Sequence, residues 1–379
     1  MKIQLPALTS LNKRIPTVFF ILMLICLVMP SGYIVQTTGE AFDVSAGASG
    51  ANGKNLVTIT GTTTYPTQST LLMTTVSSFG TASVGVPGSL AALSMFSPDR
   101  QLYPISLIYP PDTTAEAAKR QDMAEMTESQ DTAAIAGMQA AGLPVTMKLV
   151  IKGAPDESPN STVVEDGDVI QAVEYRGVRH QITSFKALQA ILGTISPAAT
   201  IHVDVLRHSE PLTLTLTTQK NPTDPTGYTK PGSRLGLFVA VDDVTYPAHV
   251  TYAVENIGGP SAGQMFSLAI DDALTPGSLA GKNVVAGTGT IQADGEIGVI
   301  GGIAHKMKGA AERGAHYFLA PALNCAETIG YEPNGMRIFA VRTIDDSLRA
   351  LAAIKAGKTE GLTTCRDVVH QAQEYAHRR

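Results

Sequence analysis

The sequence contains a serine in a setting that suits a nucleophile. Ser261 lies in the run Gly258-Gly259-Pro260-Ser261-Ala262-Gly263, which is followed by the apolar residues MFSLAI. This pattern predicts a loop leading directly into a helix, where a hydroxyl is accessible and unpaired N–H groups can stabilise an oxyanion. Taken alone, the same run also fits a plain turn in which Ser261 lies near a helix cap.

A lysine that could serve as the base follows 45 positions later. Lys306 comes after Gly301-Gly302, in the first turns of a predicted helix, where the helix dipole disfavours a cation and lowers its pKa. Activation of a serine requires a neutral amine, so burial must bring the lysine pKa from about 10.4 towards neutrality. The neighbouring His305 is expected to point about 100° away, as a residue of the surface or of the rim of the site.

Together these two segments resemble the proteolytic domain of Lon proteases, and more closely the exported Lon-like peptidases that carry a PDZ domain and lack an ATPase. The resemblance implies Ser261 as nucleophile and Lys306 as base. Gly258, Gly259 and Pro260 are the expected oxyanion and nucleophile loop, with backbone N–H groups around Gly259 to Ser261 as candidate oxyanion donors. The resemblance also implies that Thr288, in the run Gly287-Thr288-Gly289-Thr290, orients the lysine, although that run also fits a simple turn between strands.

One residue departs from the family pattern. Gly258 stands where many members carry an acidic residue, two positions before the proline, so any help from that carboxylate is absent here.

The elements that must position these residues form two predicted domains. Residues 234–355 alternate strands and helices, which is an α/β pattern; the resemblance implies that they form a C-terminal α+β Lon-type proteolytic domain, followed by a tail at 356–379. Residues 141–220 predict a β-rich module with one helix that resembles a PDZ domain. Such a domain binds an extended peptide as an added strand, with the carboxylate-binding loop expected near 142–145; a structural spacer is the alternative.

The N-terminal region carries a long uncharged run. Residues 17–35 predict a transmembrane helix, and the basic residues before it place residues 1–16 in the cytoplasm and the rest of the chain outside. A cleaved signal peptide is the alternative, because Pro30 interrupts the run. Residues 36–140 are interpreted as a linker, strands and a helical spacer, so the fold class expected is a membrane-anchored multidomain α/β protein.

Composition and motifs exclude several other functions. A net charge of −5 leaves no basic stripe for nucleic acid, and no His-Glu-x-x-His helix or spaced histidine cluster indicates a metal. The run Gly277–Asn283 lacks the spacing and the final hydroxyl of a phosphate loop, so neither ATP nor any other cofactor is expected. Cys325 and Cys365 could pair in an oxidising compartment or remain two buried thiols.

The function predicted is an ATP-independent serine endopeptidase that cleaves unfolded or extended segments of envelope or membrane proteins, recruited by the PDZ-like domain. Lon-type domains commonly form homo-oligomeric rings, so a ring is one expected assembly. The alternative is a non-catalytic peptide-binding scaffold of the cell envelope, which would have no chemical need for Ser261, Thr288 and Lys306.

Overall fold

The computed structural model describes residues 11–45, 47, 55–254 and 257–378. The chain divides into two compact units. The first unit comprises residues 1–40 and 75–122, and the second comprises residues 41–74 and 123–379.

The regular elements are numbered in chain order. The strands are β1 (Tyr33–Asp43), β2 (Val57–Thr60), β3 (Thr70–Phe79), β4 (Arg100–Pro104), β5 (Thr146–Gly153), β6 (Val169–Tyr175), β7 (Val178–Gln181), β8 (Thr200–Arg207), β9 (Glu210–Thr217), β10 (Gln219–Lys220), β11 (Ser233–Arg234), β12 (Phe238–Thr245), β13 (His249–Tyr252), β14 (Val284–Gly287), β15 (Thr290–Ile291), β16 (Ile297–Gly298), β17 (Tyr317–Pro321) and β18 (Arg337–Val341). The helices are α1 (Leu11–Val28), α2 (Gly88–Ser94), α3 (Ile105–Ile108), α4 (Ala115–Ala140), α5 (Phe185–Leu192), α6 (Gly263–Leu274), α7 (Ile303–Glu312), α8 (Cys325–Thr328), α9 (Ile344–Lys355) and α10 (Cys365–His377), with a short 3₁₀ turn at Ala322–Asn324.

The prediction of a transmembrane helix at 17–35 is wrong. The predicted fold class is therefore also wrong in including a membrane anchor. Helix α1 ends at Val28, and strand β1 begins at Tyr33. The uncharged part of α1, from Thr17, covers about 18 Å at about 1.5 Å per residue, short of the roughly 30 Å of a bilayer core. Among the described residues, no helix has the length and apolar character needed to cross a membrane.

Within the first unit, α1 is followed at once by a turn and a strand. The N–H of Gly88, at the start of α2, donates to the carbonyl of Met29 at 3.0 Å. Strand β1 pairs antiparallel with β4, in a register that runs from Tyr33 opposite Pro104 to Thr37 opposite Arg100.

The second unit is built around a parallel sheet. Strand β14 lies between β3 and β17, parallel to both, and β18 continues the sheet on the far side of β17. Strands of this kind are covered on both faces, which agrees with the apolar run Val284-Val285-Ala286 in β14. Helix α6 is buried along its whole length, and residues 123–140 of α4 pack against it at Gly137.

A second sheet forms the module predicted at 141–220. Its strand order is β12-β5-β6-β8-β9, with β7 paired to β6. Helix α5 is the helix that the sequence predicts for this module. Strand β12 comes from the region predicted as proteolytic, yet it pairs antiparallel with β5, with Val239 opposite Ile151 and Asp242 opposite Lys148. The sheet of this module is therefore completed by a strand from beyond residue 220.

The C-terminal residues beyond 356, predicted as a tail, form helix α10. A capping box at its start satisfies two backbone N–H groups, because Thr364 and Asp367 bond reciprocally. Cys365 and Cys325 form a disulfide that lies in a buried apolar cluster with Phe318 and Ile338. The structure thus has these two cysteines paired, one of the two alternatives left open by the sequence.

The disulfide predicts a measurable contribution to stability. It closes a loop with a sequence separation of 40, which corresponds to about 4 kcal/mol of unfolding free energy in the chain-entropy treatment. The Cys325→Ser/Cys365→Ser variant should therefore unfold at a lower urea concentration, followed by circular dichroism. A reductant should weaken the wild type to a similar extent and leave the variant unchanged; a wild type insensitive to reductant would contradict the bond.

Candidate active site

The candidate site lies at the carboxyl end of the central strand β14. Thr288 follows the last residue of that strand, and its N–H donates to the carbonyl of Leu319 in the neighbouring parallel strand β17 at 3.2 Å. The ends of parallel strands are favoured places for ligand sites, because loops and helix starts meet there. Thr288 is fully buried, so its position is fixed by the sheet.

The turn that carries Ser261 lies beside this strand end. Ser261 is half-buried and sits immediately before Ala262, the N-cap of α6. Its backbone carbonyl accepts two hydrogen bonds, from the hydroxyl of Thr288 at 3.0 Å and from the N–H of Gly289 at 2.9 Å. The backbone of the serine is thus held by two contacts to the Thr-Gly loop.

Thr288 connects the lysine to this turn. The Nζ of Lys306 donates to the Oγ1 of Thr288 at 3.0 Å. Because the threonine proton is already engaged with the carbonyl of Ser261, its oxygen can only accept from the amine. The contact therefore orients Lys306 through one of its N–H groups and leaves the lone pair of the neutral amine available.

The lysine is held in a dry environment. Lys306 is 2% exposed on α7, and burial lowers the pKa of its amine from 10.5 to about 7. Helix α7 begins after Gly302, whose φ of +68° is a left-handed conformation that glycine adopts without strain. The helix start thus directs Lys306 inwards, as the sequence predicted.

The residues of the predicted nucleophile loop lie together before α6. Gly258 is exposed, whereas Gly259 and Pro260 are half-buried, and Gly259 has a φ of +83°. The structure has no hydrogen bond between the hydroxyl of Ser261 and the amine of Lys306; Thr288 joins the lysine to the backbone of the serine. Such catalytic hydrogen bonds frequently form only when substrate is bound.

Two features of the site were not predicted. The side chain of Asn324 bonds both the N–H and the carbonyl of Ile300, each at 2.9 Å, and so holds the loop that precedes α7. His305 is 4% exposed, so the expectation of a surface residue is wrong. The role of Asn324 could not be predicted, because an asparagine on a short turn has no distinctive sequence pattern. The burial of His305 was indicated only by its apolar neighbours.

A second concave feature lies between the β-rich module and the proteolytic region of the second unit. It is a cavity of about 800 Å³, bounded on one side by α5 and on another by the segment that leads into β12. Its apolar wall consists of Phe185, Leu188, Leu192, Leu237 and Phe238.

The opposite wall of this cavity comes from the proteolytic region. Glu296 and Arg342 line it, and both are ion-paired: Lys230 contacts Glu296 at 2.5 Å, and Asp224 pairs with Arg342. These four charges neutralise one another in pairs, and the cavity combines an apolar wall with a polar edge. We refer to this cavity as the α5–β12 groove.

The groove does not lie where the sequence placed the carboxylate-binding loop. Residues 142–145 precede β5, which already has neighbours on both sides, β12 and β6. Strand β12 lies at one end of this sheet among the described residues and β9 at the other, and the run Leu235-Gly236-Leu237-Phe238 at the start of β12 lines the groove. The backbone edge beside the groove is thus that of β12.

The proteolytic region matches a known family. Residues 243–353 match the family described as Lon protease (S16) C-terminal proteolytic domain. Ser261, Thr288 and Lys306 all fall within the matched residues. The match supports a serine peptidase.

Comparison with solved structures gives PDZ-like neighbours. The PDZ domain of the SdrC-like protein from Listeria innocua has 11% sequence identity and a TM-score of 0.20, and the match covers 24% of this chain and 92% of that one. The PDZ domain of the SdrC-like protein from Listeria monocytogenes has 12% identity and a TM-score of 0.20, covering 24% and 86%. No curated protein matched the chain.

The buried lysine predicts a specific dependence of stability on pH. In the unfolded chain Lys306 keeps its proton up to about pH 10.5, whereas the folded protein releases it above about pH 7. Between these values folding expels a proton, so stability falls as the pH falls, by about 1.4 kcal/mol per pH unit and about 5 kcal/mol in total.

The Lys306→Met variant removes this dependence. Its unfolding free energy minus that of the wild type should increase as the pH falls from about 10.5 to about 7 and become constant below that. Urea unfolding at a series of pH values measures the difference. A difference that does not change with pH would show that Lys306 titrates normally.

Proposed function

We propose that this chain is a serine endopeptidase in which Ser261 is the nucleophile and Lys306 the general base. The observation that carries the proposal is the buried amine of Lys306, with a pKa lowered to about 7, joined through the hydroxyl of Thr288 to the turn of Ser261. A lysine with this pKa is a functioning base near neutral pH, and no carboxylate has to assist it.

The chemistry proceeds through an acyl-enzyme. The Oγ of Ser261 attacks the peptide carbonyl while its proton passes to the Nζ of Lys306, and backbone N–H groups of the turn stabilise the oxyanion. Lys306 then gives the proton to the departing amine. Water, deprotonated by the same amine, hydrolyses the ester and restores the serine.

The α5–β12 groove is the proposed site of substrate recruitment. Strand β12 offers an unpaired edge, so an extended peptide can add to it as a further strand, with its side chains against Phe185, Leu188 and Phe238. Arg234, an exposed cation at the start of this segment, favours an acidic group such as a chain-terminal carboxylate. Segments that are already unfolded can bind in this extended form. Because they need no ATP-driven unfolding, this mode of binding is consistent with proteolysis without ATP.

The proposed working compartment is an oxidising one outside the cytoplasm. The paired Cys325 and Cys365 support it, because disulfides persist in oxidising environments and are rare in the cytosol.

The catalytic assignment predicts the effect of three substitutions. Ser261→Ala and Lys306→Ala should lower kcat on an unfolded protein substrate by about 10³-fold or more, because nucleophile and base act as a unit. Wild-type kcat/KM should rise about tenfold per pH unit up to about pH 7 and then level off, since only the neutral amine is active. Lys306→Arg, charged at every accessible pH, should stay inactive across the range.

Circular dichroism of each variant gives the control for folding. Cleavage by Ser261→Ala at the wild-type rate would contradict the assignment of Ser261 as nucleophile. The non-catalytic scaffold would then be the remaining hypothesis. Activity in Lys306→Arg that follows the wild-type pH profile would show that another group is the base.

The recruitment site predicts a separable defect. Phe238, 57% exposed beside the groove, should contact bound peptide, so Phe238→Ala should raise KM about tenfold, or about 1.4 kcal/mol, with little change in kcat. Leu212→Ala is the matched control, because Leu212 is 40% exposed on β9, at the other end of the same sheet.

Binding of a fluorescent peptide to the Ser261→Ala variant measures the same site without turnover. Phe238→Ala in that background should weaken binding about tenfold and Leu212→Ala should not. Equal effects of the two substitutions would place peptide binding elsewhere.

A further inference from the structure

A helix from far upstream touches the nucleophile turn. The Oγ of Ser129, on α4, donates to the carbonyl of Pro260 at 2.9 Å, across 131 positions of sequence. Ser129 is 4% exposed, and it lies outside the residues that match the Lon proteolytic family. The N–H of Gly263 reaches the same carbonyl more weakly, at 3.4 Å.

This hydrogen bond fixes the plane of one peptide group. Pro260 and Ser261 are joined by a trans peptide, in which the carbonyl and the following N–H point in opposite directions. A carbonyl held towards α4 therefore directs the N–H of Ser261 away from α4. That N–H makes no hydrogen bond among the described residues, so it remains available as a donor.

Close packing keeps the arrangement rigid. A Cβ at Gly263 would lie 2.7 Å from the Oγ of Ser129 and 2.7 Å from a methyl carbon of Ile291, so only glycine allows α4 and β15 to approach α6 this closely. One residue after Ser129, the carbonyl of Gln130 accepts from the hydroxyl of Tyr252 at 2.8 Å. The ring of Tyr252 in turn packs edge-on against Phe266 of α6, with centroids 5.1 Å apart.

We propose that Ser129 is a positioning residue, which orients the Pro260–Ser261 peptide so that the N–H of Ser261 donates to the oxyanion of the reacting carbonyl. This inference rests on the proposed peptidase function. Ser129 does not touch the reacting atoms; it acts through the carbonyl of Pro260.

The test compares substitutions at Ser129 with a control on the same helix. Ser129→Ala should lower kcat about tenfold per titrated active site and leave KM within about twofold, because oxyanion donors act in the transition state and not on bound substrate. Inhibition by a peptide boronate, whose adduct mimics the oxyanion, should weaken about tenfold. Ser129→Cys keeps the shape of the side chain, with a slightly larger atom that is a weaker donor, and should show an intermediate loss.

Thr132→Ala is the control. Its hydroxyl donates to the backbone carbonyls of Glu128 at 2.9 Å and of Ser129 at 3.2 Å, both within α4, and does not reach the nucleophile turn. It should retain the wild-type kcat and boronate affinity.

Each other outcome overturns the inference. A wild-type kcat in Ser129→Ala, a wild-type kcat in Ser129→Cys beside a defective Ser129→Ala, or an equal loss in Thr132→Ala would each show that the hydrogen bond from Ser129 to Pro260 does not determine kcat. Ser261→Ala measured in parallel separates the two proposals: if it remains active the peptidase assignment fails, whereas if it is inactive and Ser129→Ala is normal only the present inference fails.

Discussion

The removal of one amine from water is the constraint on which the candidate site depends. Burial of Lys306 lowers the pKa of its amine to about 7, and the shift does not require a neighbouring positive charge. A buried, ionisable group of this kind is unfavourable for folding, so the surrounding structure must hold it in place. Helix α7 does this with its apolar face, in which Ile303, Met307 and Ala310 are almost fully buried.

The hairpin formed by β15 and β16 connects the candidate active site with the α5–β12 groove. At one end, Thr288 and Gly289 contact the carbonyl of Ser261. At the other end, Gln292 and Glu296 line the α5–β12 groove, and the N–H of Ile297 donates to the carbonyl of Arg342 at 2.7 Å. Because this hairpin is short and hydrogen-bonded, its backbone has little conformational freedom. The hairpin therefore sets the distance between the groove and the site.

The parts of the site that could be predicted are those encoded in short runs of sequence. Ser261, Thr288 and Lys306 each lie in a glycine-bearing run at the end of a strand or start of a helix, where local chain geometry decides the position of the side chain. The β-rich module was also predictable, because strand and helix periodicities are local: helix α5 occupies Phe185–Leu192 and β8 Thr200–Arg207.

The parts that were not predicted depend on residues distant in sequence. The contact of Ser129 with Pro260 requires α4 to pack on α6, and the edge strand β12 requires pairing across about 90 residues, neither of which leaves a local pattern. The membrane segment failed for another reason. Hydropathy does not distinguish a helix from a strand, and the residues Tyr33, Ile34 and Val35 that lengthened the apolar run are good strand formers that begin β1.

The contact between α4 and β13 explains how a β-rich module can sit within the chain of a proteolytic fold. The module begins after α4 and ends before β13, and these two elements are tied by the hydrogen bond between Tyr252 and the carbonyl of Gln130. An insertion whose two ends meet on the host structure disturbs its packing least. Because Ser129 and Gln130 are adjacent on α4, the same stretch of this helix contacts β13 through Tyr252 and the turn of Ser261 through Pro260. The segment that anchors both ends of the module therefore also braces the nucleophile turn.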